Sequence, residues 1–245
     1  MKKIVLGVLV SVVMSGQAAQ AITLSVVDSG VFDLFSVRGT GGGTSISHTS
    51  SNTSIEFSFF SSPFGGFTST DNSAFAIFDL SGLTGSVTSA SLEMSVTSSD
   101  FSNIFFPGSP GDPGSYVFNQ VSSNPALFNS SYSESSLCCG GNPLGTGFGL
   151  YRALGNGPAL GTVSYTGVGS QTVALGASGI DLIDLALGGL LVIGIDDAGG
   201  HGPIGDVTFA TPQLTLELAP VPAPTAIWLF GSALLGLGAM KRKKT

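Results

Sequence analysis

The 245-residue chain carries eight Lys and Arg against fifteen Asp and Glu, a formal net charge of −7, and charged residues make up only 9% of it. Six of the cations sit in the first three and last five residues, so Arg38 and Arg152 alone face all fifteen acids across the body, a formal charge of −13. Such a body repels phosphate backbones and anionic lipid surfaces, which excludes nucleic-acid binding, and its ample Phe, Val, Leu and Ile exclude disorder.

The first element has three parts. Lys2 and Lys3 precede an apolar run, Ile4 to Met14, followed by Ser15-Gly16-Gln17-Ala18-Ala19-Gln20-Ala21. A cationic start, a short hydrophobic centre and small residues at Ala19 and Ala21 read as a secretory signal over residues 1–21, cleaved to leave Ile22 first. A run of eleven residues falls short of the roughly 20 that a spanning helix needs. The expected partners of this segment are Sec-type export machinery and a signal peptidase.

The body, 22–218, is long enough for one sizeable core. Ile55-Glu56-Phe57-Ser58-Phe59, Ala74-Phe75-Ala76-Ile77-Phe78, Ser91 to Val96 and Leu214 to Leu218 alternate with period two, which puts one face on a core and the other in water. Further strands are expected at Ile22–Val27, Val31–Val37, Tyr116–Val121, Phe148–Leu154, Thr162–Tyr165, Thr172–Leu175 and Leu190–Ile195, separated by clusters of Gly, Ser, Pro and Asn. About ten strands predict an all-β fold, a two-sheet sandwich of jelly-roll type. A single helix is expected at Ser178–Leu187, with Ser178 and Asp181 as a capping pair, Ile180, Ile183 and Leu187 on one face, and Gly188-Gly189 as the stop.

Chemistry-bearing motifs are sparse. Cys138-Cys139 is the only sulfur pair, readable as two loop thiols, a vicinal disulfide or a bridge between chains; with His48 and His201 lacking ligand spacing, no metal-thiolate site is expected. Asp196-Asp197 and Asp206 flank a glycine-rich loop and could supply some of the six to eight oxygens that calcium needs, but the spacing fits no calcium loop, and solvated turn residues are the simpler reading. No glycine-x-serine-x-glycine elbow or paired-histidine zinc helix occurs, and Gly145-Thr146-Gly147-Phe148-Gly149 lacks the lysine of a phosphate loop. No enzymatic activity and no cofactor are expected. Tyr116, Tyr132 and Tyr151 are candidate platforms for sugar rings, and paired carboxylates acting across space would be the route to a polysaccharide hydrolase.

The last element is Val221-Pro222-Ala223-Pro224, then sixteen uncharged residues from Thr225 to Met240, then Lys241-Arg242-Lys243-Lys244. A helix over 225–240 would be about 24 Å long. Snorkelling lysine stems and the residues from Ala219 onward extend it towards a hydrocarbon core of about 30 Å. The four cations act as a stop and hold the tail on the cytoplasmic side, so the body lies across the membrane.

This tail, residues 219–245, resembles the PEP-CTERM sorting signal: a Val-Pro-x-Pro motif, a hydrophobic helix opening on Trp228-Leu229-Phe230-Gly231-Ser232, and a basic end. Ala223 stands where the family motif has Glu. The resemblance implies recognition of Val221, Pro222 and Pro224 by an exosortase-like membrane enzyme, in Gram-negative bacteria that make exopolysaccharide. A second resemblance, spread over about 40 residues, is to exported jelly-roll domains of sorted bacterial proteins. It rests on Ala74 to Leu83, with Phe78-Asp79-Leu80 at its centre, leading through Gly85-Ser86-Val87-Thr88-Ser89-Ala90 into the Leu92 strand, and on Gly179 to Asp196. The expectation is an exported cell-envelope or extracellular matrix protein, anchored in the inner membrane as an intermediate and associated with exopolysaccharide or biofilm. A surface carbohydrate-binding module is the alternative and a polysaccharide hydrolase the third reading.

Overall fold

A computed structural model describes residues 19–38, 43–50, 54–59, 67–100, 114–137, 145–197 and 205–219, together with Ala233. Residues 1–18 of the expected 1–21 signal, Cys138 and Cys139, Val221, Pro222 and Pro224, the expected helix over 225–240 and the run Lys241, Arg242, Lys243 and Lys244 lie outside the described residues, Ala233 apart. No described helix is long and apolar enough to cross a membrane.

The fold is all-β, as its composition predicts, with twelve strands in antiparallel ladders among the described residues. They are β1 (Gln20–Arg38), β2 (Gly43–Ser50), β3 (Ser54–Phe59), β4 (Phe67–Asp79), β5 (Val87–Asp100), β6 (Gly114–Gln120), β7 (Ser133–Leu137), β8 (Ala159–Tyr165), β9 (Gly169–Ala174), β10 (Leu190–Asp197), β11 (Gly205–Ala210) and β12 (Gln213–Leu218). One group of ladders joins β3, β11, β5, β12 and β9 with the first residues of β1. The other joins the rest of β1 to β2, β4, β7, β10, β6 and β8. β1 belongs to both. Its residues 20–25 pair with β12, and beyond a bulge between Val26 and Asp28 it pairs with β4 and β2. The two strands expected at Ile22–Val27 and Val31–Val37 are therefore one. Asp28-Ser29-Gly30 has turn-like composition, yet it stays paired to Ile77, Ala76 and Phe75, because a bulge can absorb the extra residue without ending a strand.

The main core lies between the groups. Leu92, Met94 and Val96 of β5, Val207 and Phe209 of β11, and Leu214 and Leu216 of β12 meet Ala74, Ala76, Phe78, Phe118, Ile193 and Ile195 of the other group. On β5 and β12 the alternation holds as expected, with Glu93, Gln213 and Glu217 exposed between buried neighbours. On β4 it does not. Every residue from Asn72 to Phe78 is buried, and so is every residue from Leu191 to Ile195. The second faces of these strands carry Phe75, Ile77 and Val192, which form a second core with Phe32, Ile46, Phe128 and an α-helix.

That helix, α1 (Thr146–Asn156), occupies the stretch expected to be a strand at Phe148–Leu154. Gly147, Phe148, Leu150 and Leu154 are buried at helical spacing, and α1 packs over β10, β4 and β6. Its seat is Gly194: a Cβ there would lie 2.4 Å from the Leu154 carbonyl oxygen, so the helix backbone rests on a strand position without a side chain. The expected helix at Ser178–Leu187 is α2 (Ala177–Ala186), so the described residues of the body hold two α-helices where one is expected. Ser178 does not cap it. The cap is Gly176, with no side-chain bond, two residues earlier. Ile183 is buried in the main core, with Ile180 and Leu187 packed against it, and Gly188 ends the helix at φ +80°.

Candidate functional site

The outer face of the β2–β1–β4–β10 ladder brings together the residues with the most chemical potential. Phe32 on β1 is the register partner of His48 on β2 and of Ser73 on β4, and Ser73 is the partner of Asp196 on β10. A histidine, a serine and an aspartate thus share one rank. Their order prevents a proton relay, because Phe32 stands between His48 and Ser73. The His48 ring stacks on Phe32 with centroids 4.6 Å apart, while Ser73 Oγ donates to Asp196 Oδ1 at 2.9 Å.

His48 itself is held firmly. Its Nδ1 lies 2.9 Å from the Ser130 carbonyl oxygen, which assigns the proton to Nδ1, and its backbone N–H donates to the Tyr132 carbonyl. Phe75 and Tyr132 complete an aromatic box around the ring. Nε2 is buried there, with no hydrogen-bond partner among the described residues. Burial lowers the His48 pKa below its ordinary 6.5, against the opposing pull of the Ser130 carbonyl and the Asp28 charge. The result is a neutral imidazole that joins β2 to the segment 130–132. Only its lack of ligand spacing was visible in sequence, since its partners come from three separate stretches.

The glycine run at 145–149 has an intramolecular purpose. Glu134 on β7 accepts from the N–H groups of Gly147 (2.7 Å) and Phe148 (3.1 Å), so its carboxylate occupies the N-terminus of α1. A Cβ at Gly145 would fall 2.1 Å from the Glu134 Cδ. The unpaired N–H groups that bind phosphate elsewhere are here filled by the chain's own carboxylate.

The two segments that resemble exported jelly-roll domains meet one another. Leu80, fully buried, donates its N–H to the Gly189 carbonyl and accepts from the Gly188 N–H. Asp184 of α2 accepts from the Val87 N–H at 2.8 Å and from Ser86 Oγ. Asp79 accepts from the Ser81 N–H, and the Ser81 hydrogen bonds lower its pKa. These residues close one end of the main core.

The calcium candidates are distributed between the ladder groups: Asp196 and Asp197 end β10, whereas Asp206 opens β11. Asp196 is committed to Ser73; the side chains of Asp197 and Asp206 lie outside the described residues. Among the described residues no group of three His, Cys, Asp or Glu converges as a metal site would require. The three tyrosines do not form one platform. Tyr116 is buried between the ladder groups, edge-on to Phe209 at 4.8 Å. Tyr132 donates its hydroxyl to the Leu127 carbonyl, and Tyr151 stacks on Phe148 in the second core.

The candidate cleavage residues lie at the start of β1. Ala19 precedes the strand, and Ala21 pairs with Glu217, both residues exposed. Beside them Gln20 pairs with Leu218, and the Ala219 N–H donates to the Ser86 carbonyl. The chain thus enters and leaves the body at the same place. No family model matches the chain, and no curated protein matches it.

Proposed function

We propose that the chain is an exported cell-envelope or matrix protein, delivered through residues 1–21, anchored in the membrane by 225–240, and sorted by an exosortase-like enzyme at Val221, Pro222 and Pro224. Its body, a jelly-roll-like two-sheet sandwich in this reading, has no catalytic activity of its own and works beside exopolysaccharide. The observation that carries the reading is the pairing of Gln20 with Leu218. Segments that both require a membrane leave from adjacent backbone positions, so one bilayer can hold both while the acidic body stays clear of it. The covered second faces of β4 and β10 agree with a structural role, since α1 packs over them and the Ser73 hydroxyl is spent on Asp196. Burial of Tyr116 removes one of the three aromatic positions on which glycan binding would rest.

The test is the intact mass of the native protein with its location in fractionated cells. The expected mass lacks residues 1–21 and the segment beyond the Val221–Pro224 motif, with the protein outside the cytosol. Replacing Lys241, Arg242, Lys243 and Lys244 by Ser is expected to misorient the precursor in a protease-accessibility assay. A soluble cytosolic protein with Met1 and Thr245 both present would overturn the reading.

A further inference from the structure

The point at which the chain leaves the body is flanked by α2. Leu218 pairs with Val87, the Val87 N–H is held by Asp184, and the next residue is Leu185. Leu185 is 84% exposed, the most exposed large hydrophobic residue among those described, although it lies on a helix that turns Ile183 into the core. Leu190, 45% exposed, follows the Gly188-Gly189 turn at the same end. Soluble surfaces tolerate single exposed leucines. What distinguishes these two is their position beside the exit of a short tether.

Between Ala219, the last described residue of the body, and Thr225, the start of the apolar tail, there are six backbone steps. Six residues fully extended span at most about 21 Å. A body this large on so short a tether has little choice of orientation: with 225–240 in a bilayer, the end bearing α2 must face that bilayer at close range. From this geometry we infer that the α2 end is a docking surface for the phospholipid headgroup region, with Leu185 and Leu190 entering the interface while the tail is inserted. The inference rests on the membrane anchoring proposed above.

The charges at this end set the kind of lipid. Asp79, Asp181 and Glu217 are exposed, and Asp184 is turned back onto Val87 and Ser86. No Lys or Arg is described at this end. Contact is therefore apolar and favours zwitterionic over anionic headgroups, the reverse of a basic peripheral helix.

The experiment uses the full chain in phosphatidylcholine vesicles, with Cys138 and Cys139 replaced by Ser and an environment-sensitive fluorophore at Leu185→Cys or Val168→Cys. Val168, 66% exposed, lies in the β8–β9 connection, which follows β8 and leads into β9 beside Val96 rather than Val87. Trp228, the one tryptophan, reports the tail independently. A shallow lipid-borne quencher is expected to cut emission at position 185 by about twofold, as for an interfacial residue, and to leave position 168 unchanged. Replacing half the lipid by phosphatidylglycerol is expected to weaken quenching at 185. Quenching of Trp228 without quenching at 185, or equal quenching at 185 and 168, would overturn the docking surface and leave the anchor standing. Absence of Trp228 quenching by lipid-borne quenchers at any depth would overturn the anchor, and the docking surface with it.

Discussion

Glu134 on β7 and Gly147 on α1 are joined by a 2.7 Å hydrogen bond from the helix N–H to the carboxylate, across a connection that also reaches Phe148. Capping a helix with a carboxylate from another element satisfies two orphan donors and opposes the positive end of the dipole. Glu134→Ala is expected to cost about 1–2 kcal/mol, read as a lower urea midpoint at unchanged slope. Gly145→Ala is expected to cost about 1–3 kcal/mol, since its Cβ would occupy the carboxylate's place.

Asp184 joins α2 to the start of β5. Its replacement by Ala leaves the Val87 N–H without its acceptor at a partly buried position, a loss of about 1–3 kcal/mol in denaturant unfolding. Leu80→Ala, which empties a fully buried site at the same end, is expected to cost about 2–5 kcal/mol. Because both substitutions act on one closure, their combined effect should fall short of the sum in a double-mutant cycle.

His48 gives stability a pH dependence whose sign is set by burial. The folded chain holds the imidazole proton less tightly than the unfolded chain, which titrates near 6.5. The stability contributed by the neutral ring is present above that value and is lost as pH falls through the lowered folded pKa. Urea midpoints measured from about pH 8 to about pH 5 should decline, and His48→Phe should flatten the decline even where it lowers the midpoint at neutral pH. An equally steep decline in the variant would assign the effect to other groups.

Gly194→Ala tests the seat of α1. The new methyl would meet the Leu154 carbonyl, so the helix must lift from β10 at a cost of about 1–3 kcal/mol. Near-ultraviolet signals from Phe148 and Tyr151 should weaken before those of Tyr165, whose hydroxyl donates to the Met94 carbonyl inside the main core. Burial, followed by the nearby Glu93 charge, raises the pKa of that hydroxyl, so it stays protonated throughout.

The strands easiest to read in the sequence were those with one wet face. Leu214-Thr215-Leu216-Glu217-Leu218 and Ser91 to Val96 announce themselves because water on one side enforces alternation. β2 is mostly Ser, Thr and Gly, with Ile46 the one large apolar side chain described as buried on it, and β7 reads Ser-Glu-Ser-Ser-Leu; β2 is a strand because β1 offers a ladder and β7 because β2 does, and no local signal says so. β11 carried a signal in Val207-Thr208-Phe209, obscured by its brevity and the acidic loop before it. α1 is hard to read locally because its glycines resemble punctuation and its cap arrives from Glu134, eleven residues before Gly145. The aromatic box around His48 was illegible for a related reason: Phe32, His48, Phe75 and Tyr132 come together only after four segments have found their register.

β1 and β12 are the first and last strands of the body, and they are neighbours. A polypeptide made from its amino end has delivered the other eleven described strands before the partner of residues 20–25 exists, and until then Leu214 and Leu216 cannot seal the flank of β5. Closure waits for the final half-dozen residues, and sequence separations of this span make assembly slow. Until β12 arrives, residues 20–25 and the flank of β5 lack the strand that joins them, so the two groups of ladders are tied together last.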